Sequence, residues 1–305
     1  MEGVTFYFDA EVALMEWLQG FMGSVMTPLM SLITLLGEEA VAVGVLGFLY
    51  WVWDKDTAVF VGTNVLVGTV VNPFLKNFAL RRRPYFDHPQ IQCLKPVHDG
   101  DIYDISAQGY SFPSGHSSNS VILYGSLAQT LHRRPLTVFA IAAPLLVGFS
   151  RVMLGVHYPT DVLAGWASGT IVIAVMSAVQ RRVKHKERMY LVIAVVFLPG
   201  FFICRTNDFY TCYGILCGFF AARILDERIV HFENTRNARA AVLRLAIGLA
   251  CYFGLNTLLK APFPEEFLQS ATTGQFLFRA VRYGLVSFLM LGVYPASFGK
   301  VKQLS

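Results

Sequence analysis

Charge is what this sequence has least of. Only 15% of its 305 residues are Asp, Glu, Lys or Arg, against 54% hydrophobic, and charge-poor runs recur along almost the whole length. That excludes a soluble domain and reads as a polytopic membrane protein. Cysteine is scarce as well. The five (Cys93, Cys204, Cys212, Cys217, Cys251) show no metal-ligand spacing and lie mostly inside apolar runs, where a thiol packs as a small hydrophobe. The opening MEGVTFYFDAEVALMEW has acids where a secretory signal carries lysine or arginine, and it has no small-residue cleavage site, so no removable targeting peptide is expected. The net charge of +5 forms no basic stripe. The cations gather at the ends of apolar runs, which excludes a nucleic-acid surface and makes them topology signals.

What is present is a series of apolar spans. Residues 9–23 place Val12, Met15, Leu18, Phe21 and Met22 at helical spacing with Glu11, Glu16 and Gln19 between, which predicts an interfacial amphipathic helix. Nine crossings are then expected, at about 39–53, 57–80, 117–131, 136–154, 162–180, 189–204, 209–225, 240–259 and 276–295. This predicts an all-α polytopic helical bundle. Threading the chain through nine spans puts Lys55, Arg133, Arg134, Arg181, Arg182, Lys184, Lys186, Arg188, Arg228, Arg236, Arg239, Lys300 and Lys302 on one side, the cytoplasmic one by the positive-inside rule. Gly165 with Gly169, and Gly214 with Gly218, form small-residue stripes that admit a homo-oligomer, although packing within one bundle is the expectation.

Three stretches on the opposite, extracytoplasmic side break the apolar pattern: KNFALRRRP (76–84), YSFPSGHSS (110–118) and SRVMLGVHYPTD (150–161). An ionisable group within a membrane costs about 3 kcal/mol on insertion scales, so such groups mark function by default. Lys76 and Arg83 are seven apart, two turns along one helix face, though snorkelling would explain them singly. Gly115 permits close backbone approach, Ser114 offers a hydroxyl, and the free amides of the following helix start suit an anion within reach of His116. Pro159 suits a first helical turn. Asp161 lies in that turn, four residues after His157, where its carboxylate can accept from one imidazole nitrogen and leave the other as a nucleophile. Arg151 adds a permanently charged fork for phosphate oxygens. Two histidines, a carboxylate and three cations fit phosphoryl transfer through a phosphohistidine. No cofactor or metal is expected, since zinc would need three or four convergent ligands and only two histidines converge.

Lys76 with Arg83-Pro84, then Pro113-Ser114-Gly115-His116, then Ser150-Arg151 with His157 and Asp161 resemble the complete three-part signature of the type 2 phosphatidic acid phosphatase (PAP2) superfamily, in its order and spacing. The resemblance covers about residues 39–180 and implies a helical core with metal-independent phosphatase activity. It implies His157 as nucleophile, Asp161 as its orienting partner, and His116 as the acid that protonates the leaving oxygen and then, as base, activates water. It gives Lys76, Arg83, Ser114, Gly115, Ser150 and Arg151 to phosphate binding. Three regions are expected: 1–38, an N-terminal amphipathic segment; 39–188, the PAP2-like catalytic core; and 189–305, about four additional C-terminal transmembrane helices. Those last spans resemble the many-spanning branch that includes glucose-6-phosphatase and the sphingosine-phosphate phosphatases. The Pro-Ser-Gly-His form and Asp161 are instead similar to bacterial lipid phosphatases, and the branch stays open.

The expected substrate is an amphiphile, a lipid phosphate or pyrophosphate such as phosphatidate, a polyprenyl pyrophosphate or a sphingoid phosphate, met in the membrane lipid at the extracytoplasmic face. A soluble sugar phosphate is the alternative. An anion transporter is the reading from another class, and it would need a polar path across the membrane. Vanadium-dependent haloperoxidases have a similar constellation but are soluble. His88 and His98 are expected to be solvated in the outer loop. His132, His185 and His231 fall on the cytoplasmic side. The acidic cluster Asp99, Asp101, Asp104 lacks the remaining ligands of a calcium loop and reads as part of a polar lid. Arg244, Arg279 and Arg282 lie inside apolar spans, where lipid-headgroup binding competes with snorkelling.

Overall fold

A computed structural model describes residues 3–96 and 101–304; His98 and Asp99 lie outside the described residues. Among those described, the one β-pairing is an isolated parallel bridge between Val4 and Arg81. The principal helices are α1 (Asp9–Gln19), α2 (Met26–Ile33), α3 (Glu39–Phe48), α4 (Lys55–Ala79), α5 (Gly115–Leu131), α6 (Arg134–Met153), α7 (Pro159–Arg182), α8 (Lys186–Val196), α9 (Asn207–Leu225), α10 (Ala238–Lys260) and α11 (Thr273–Phe288).

Among the described residues, five helical segments are each long and apolar enough to cross a membrane: α4, α6, α7, α10 and Thr273–Ser297, which extends α11. A sixth joins α2 to α3 through a 47° bend. The nine expected crossings therefore reduce to five or six by length and composition. The difference has local causes. Helix α5 has 17 residues and opens with the polar run GHSSNS, whose Ser117, Ser118, Asn119 and Ser120 are buried; α8 has only 11 residues, about 16 Å at 1.5 Å per residue; and α9 carries Asp208 and Arg223 within its 19 residues. The chain is a multi-pass integral membrane protein, and four helices, α8 to α11, follow residue 185.

The chain divides into two compact units, Met1–Val43 with Val71–Met176, and Gly44–Val70 with Ser177–Ser305. In the first, α5 and α6 pack together, and α7 closes on α5 at its small residues. A Cβ added at Gly165 would stand 2.6 Å from the Ser114 carbonyl, and one at Gly169 would stand 2.9 Å from that of Ser118. In the second unit α9 and α11 meet the same way, with Gly214 against the Ala280 carbonyl and Gly218 against that of Gly284. Both stripes are thus filled by the chain's own helices, as close packing in a bundle requires.

Helix α1 is amphipathic, and part of the expected apolar stripe turns into the protein while Phe21 stays exposed. Val12, Met15 and Leu18 are buried in a core with Tyr85, Leu154 and Val156. Gln19 clamps the same helix to the outer loop, donating to the Gln92 carbonyl at 2.8 Å and accepting from the Gln92 N–H at 2.9 Å.

Candidate active site

Three helix ends and two loops of the first unit build the site. Pro159 starts α7, and Asp161, in its first turn, is fully buried. Its Oδ2 accepts from the Tyr158 N–H at 2.8 Å and from the Ser111 hydroxyl, and it lies 3.4 Å from His157 Nδ1. Its Oδ1 takes a 2.6 Å bond from Arg81. The main-chain carbonyl of Asp161 receives the Ser114 N–H at 2.9 Å, which ties the second motif to the third. Ser114 caps α5, its hydroxyl oxygen accepting from the Ser117 hydroxyl at 2.9 Å. Beside it Asn72 donates to the Pro113 carbonyl at 3.3 Å. A Cβ on Gly115 would meet the Asn72 side-chain oxygen at 3.2 Å, so glycine keeps this corner close.

Arg83 is buried and donates to the Gln108 carbonyl at 2.7 Å and the Val156 carbonyl at 2.9 Å. Arg151, at the end of α6, donates to the Thr34 hydroxyl at 3.1 Å, while its buried Nε has no hydrogen-bond partner among the described residues. Lys76, on α4, and His116, at the second position of α5, are within electrostatic reach of His157. Ser150 is buried, and its hydroxyl donates back to the Val147 carbonyl at 2.7 Å, so its oxygen is left as an acceptor. Lys76, Arg83, His116, Arg151, His157 and Asp161 are therefore brought together from sequence distances of up to 85 residues.

His157 is 1% exposed. Burial, together with the positive charges of Arg83, Arg151 and Lys76, holds its pKa well below the ordinary imidazole value of 6.5. It is neutral at pH 7, with Nδ1 toward the carboxylate and Nε2 available as a base or nucleophile. Among the described residues no group of three or more His, Cys, Asp or Glu side chains is arranged to hold a metal.

Several supporting residues carry no sequence signal of their own. Arg81 reads as one of three arginines at a helix end, yet it is buried between Asp161 and Glu11 (3.2 Å) and lies 3.9 Å over the Tyr158 ring. Glu11 reaches from α1, also accepting the Thr160 N–H at 2.7 Å, which serves a free amide at the start of α7. Ser111 and Thr34 complete the set. His88, expected to be solvated, is instead buried, edge-on to Tyr7 with ring centroids 4.4 Å apart.

The site is thus that of a helical membrane protein in which a buried histidine faces a carboxylate on a helix start, with cations gathered around it. The sequence matches the PAP2 superfamily over residues 57–184 and the transmembrane extension of PAP2 superfamily phosphatases over residues 210–304. The chain carries a PAP2 superfamily domain followed by the PAP2 transmembrane extension. It is similar to phosphatidylglycerophosphatase B of Bacillus subtilis (32% identical over 143 residues, 44% of this chain and 61% of that one). It is also similar to the undecaprenyl-diphosphatase of Sulfolobus acidocaldarius (29% over 124 residues, 39% and 59%). A crystal structure of a transmembrane PAP2 type phosphatidylglycerolphosphate phosphatase from Bacillus subtilis aligns over 58% of this chain and 87% of that one, with 26% identity and a TM-score of 0.43. The chain spans about three fifths of the length of those two curated relatives.

Proposed function

We propose that this protein hydrolyses a phosphate or pyrophosphate ester carried by a membrane lipid, through a phosphohistidine on His157. The observation that carries the reading is the neutral, buried His157, oriented by Asp161 and surrounded by Lys76, Arg83 and Arg151. In the first step the Nε2 lone pair forms a bond to phosphorus while the P–O bond to the leaving group breaks, and His116 supplies the proton that the leaving oxygen takes. In the second step His116 accepts a proton from water, whose oxygen displaces His157 and releases phosphate. Lys76, Arg83, Arg151 and the Ser114–Gly115 helix start stabilise charge on the equatorial oxygens, where most of the acceleration of phosphoryl transfer arises. Ser150 contributes through its oxygen and through the close packing at the end of α6. Residues 39–188 hold the reacting groups, 1–38 supply Glu11 and Thr34 behind them, and 189–305 add the C-terminal membrane helices.

An amphiphilic substrate is favoured over a sugar phosphate by an open apolar groove of about 630 Å³ lined by Trp17, Leu146, Phe149, Val152, Val162 and Trp166. Val152 follows Arg151 and Val162 follows Asp161, so an acyl or prenyl chain seated there has its head beside the motif residues. The curated names of the relatives likewise point to lipid-borne phosphates. Phosphate release from phosphatidate, phosphatidylglycerophosphate, undecaprenyl pyrophosphate and glucose 6-phosphate, measured in EDTA beside His157→Ala, tests the reading. Release from a lipid substrate that His157→Ala abolishes supports it; no release from any substrate, or equal release by the variant, overturns it. The charge asymmetry of the loops favours the extracytoplasmic face for the site. Labelling of Tyr103→Cys in intact cells by a membrane-impermeant maleimide is the expected outcome, and labelling only after permeabilisation reverses the orientation.

A further inference from the structure

Arg244, Arg279 and Arg282, on the apolar helices α10 and α11 of the second unit, have different surroundings. Arg244 is satisfied by main-chain carbonyls, those of Leu304 and Trp51 at 2.7 Å and of Glu233 at 2.9 Å, and its guanidinium lies 4.0 Å over the Phe298 ring. It is a structural clasp. Arg282 is 4% exposed and Arg279 is half-buried, yet neither donates a hydrogen bond to any described residue, and the Nε of each is enclosed without a partner. Among the described residues, Arg282 instead meets aromatic faces, Tyr283 at 4.8 Å and Phe278 at 5.6 Å.

An uncompensated buried guanidinium is costly, and side chains on α11 that simply needed charge relief would snorkel outward. These two instead line a cavity of about 270 Å³ where α10, the Glu265–Leu268 turn and α11 meet, with Lys260 at its edge. Against the three cations stand Glu265 in the lining and Asp208, which acts on Arg279 electrostatically. Gln275 spends both amide hydrogens, on Asn207 and on the Leu268 carbonyl (3.1 Å each), which leaves its buried oxygen to accept from a headgroup hydroxyl or ammonium. Leu258 on α10 and Leu277 and Val281 on α11 are exposed large apolar residues on the same two helices, where the chain of an amphiphile would lie. The phosphatase reading uses none of these residues.

We propose that this cavity binds the phosphate group of an anionic membrane lipid, with Arg282, Arg279 and Lys260 as its cations. A phosphate oxygen at the two guanidinium groups would supply the hydrogen bonds that Arg282 lacks, and the acyl chains would cover Leu277 and Val281. A glycerophosphate diester suits the volume, and its single negative charge leaves the Gln275 oxygen a hydroxyl to bind.

Full-length protein in detergent, titrated with short-chain phosphatidylglycerol, short-chain phosphatidylcholine or inorganic phosphate, tests this by thermal-unfolding midpoint and by lipid adducts in native mass spectrometry. The expected result is saturable binding of phosphatidylglycerol that weakens about tenfold in Arg282→Gln, is unchanged in Arg83→Gln, and exceeds that of phosphatidylcholine. Should Arg282→Gln not fold, the half-buried pair Arg279→Gln with Lys260→Gln carries the same expectation. Wild-type affinity for phosphatidylglycerol in these variants overturns the site. Inorganic phosphate that binds as tightly as the lipid, with the same dependence on Arg282, overturns the lipid as occupant and makes this a site for the free anion.

Discussion

Two regions of the protein bury cations in opposite ways. Near the end of α9, Arg223 meets Asp226 and Glu227 at 2.7 Å each, and Lys55 meets Asp226 at 2.9 Å and the Phe232 carbonyl at 2.6 Å. Positive charge is matched by carboxylate on the spot. Around His157, Arg83 donates to the carbonyls of Gln108 and Val156, and Arg151 to a threonine hydroxyl. These hydrogen-bond partners are neutral, and the carboxylate of Glu38 acts on Arg151 electrostatically. The first arrangement is a staple, and the second keeps its field for an incoming anion. Arg81 stands between the two: it is paired with Asp161 and Glu11, so it stabilises the carboxylate beside His157.

Substitutions can separate the staple from the site. The largest effect is expected for His157→Ala, about 10⁴-fold or more in kcat, as for removal of other nucleophiles, with the thermal midpoint near that of the parent; phosphate-release assays check it. Asp226→Ala leaves Arg223 and Lys55 without their shared partner and should lower stability by about 3 to 5 kcal/mol, while kcat/KM per folded molecule holds; denaturant unfolding and kinetics together decide it. Arg151→Gln should do the reverse, costing about 10²- to 10³-fold in kcat with little loss of stability. The smallest effect concerns pH. Because burial and the cations lower the pKa of His157, the acid limb of kcat/KM should fall below pH 6.5. Arg151→Gln removes one positive charge, favours the imidazolium and should move that limb upward. A limb that stays in place would mean Arg151 does not act on His157.

Much of the site was legible because its residues are of kinds that lipid-facing helices do not tolerate without cause. Lys76, Arg83, His116, Arg151, His157 and Asp161 are conspicuous in apolar surroundings, and the four-residue step from His157 to Asp161 encodes their contact directly. Ser150 is read as a phosphate ligand from the signature alone, and its hydroxyl donates to the Val147 carbonyl of its own helix. The crossings were harder. Where a helix start is built from buried polar residues, as in α5, hydropathy reports the site rather than the span, and the short α8 gives an apolar window without the length to match. Helix α1 shows the same limit. Its periodicity revealed an apolar stripe, but periodicity does not distinguish a stripe that meets lipid from one that meets Tyr85 and Leu154.

By itself the sequence determined that this chain is helical and membrane-embedded and that three separated stretches hold its conspicuous polar residues, because hydropathy and residue type are local properties. Only the tertiary structure decided that Glu11, Thr34, Arg81 and Ser111 hold those stretches in place, that Arg244 is a clasp while Arg282 is not, and that the glycine stripes face the chain's own helices. Those outcomes rest on pairings such as Glu11 with Thr160 and Thr34 with Arg151, 149 and 117 residues apart. Contacts at such separation leave no period in the sequence, since one ordinary acid or hydroxyl serves as well as another until the fold selects its partner.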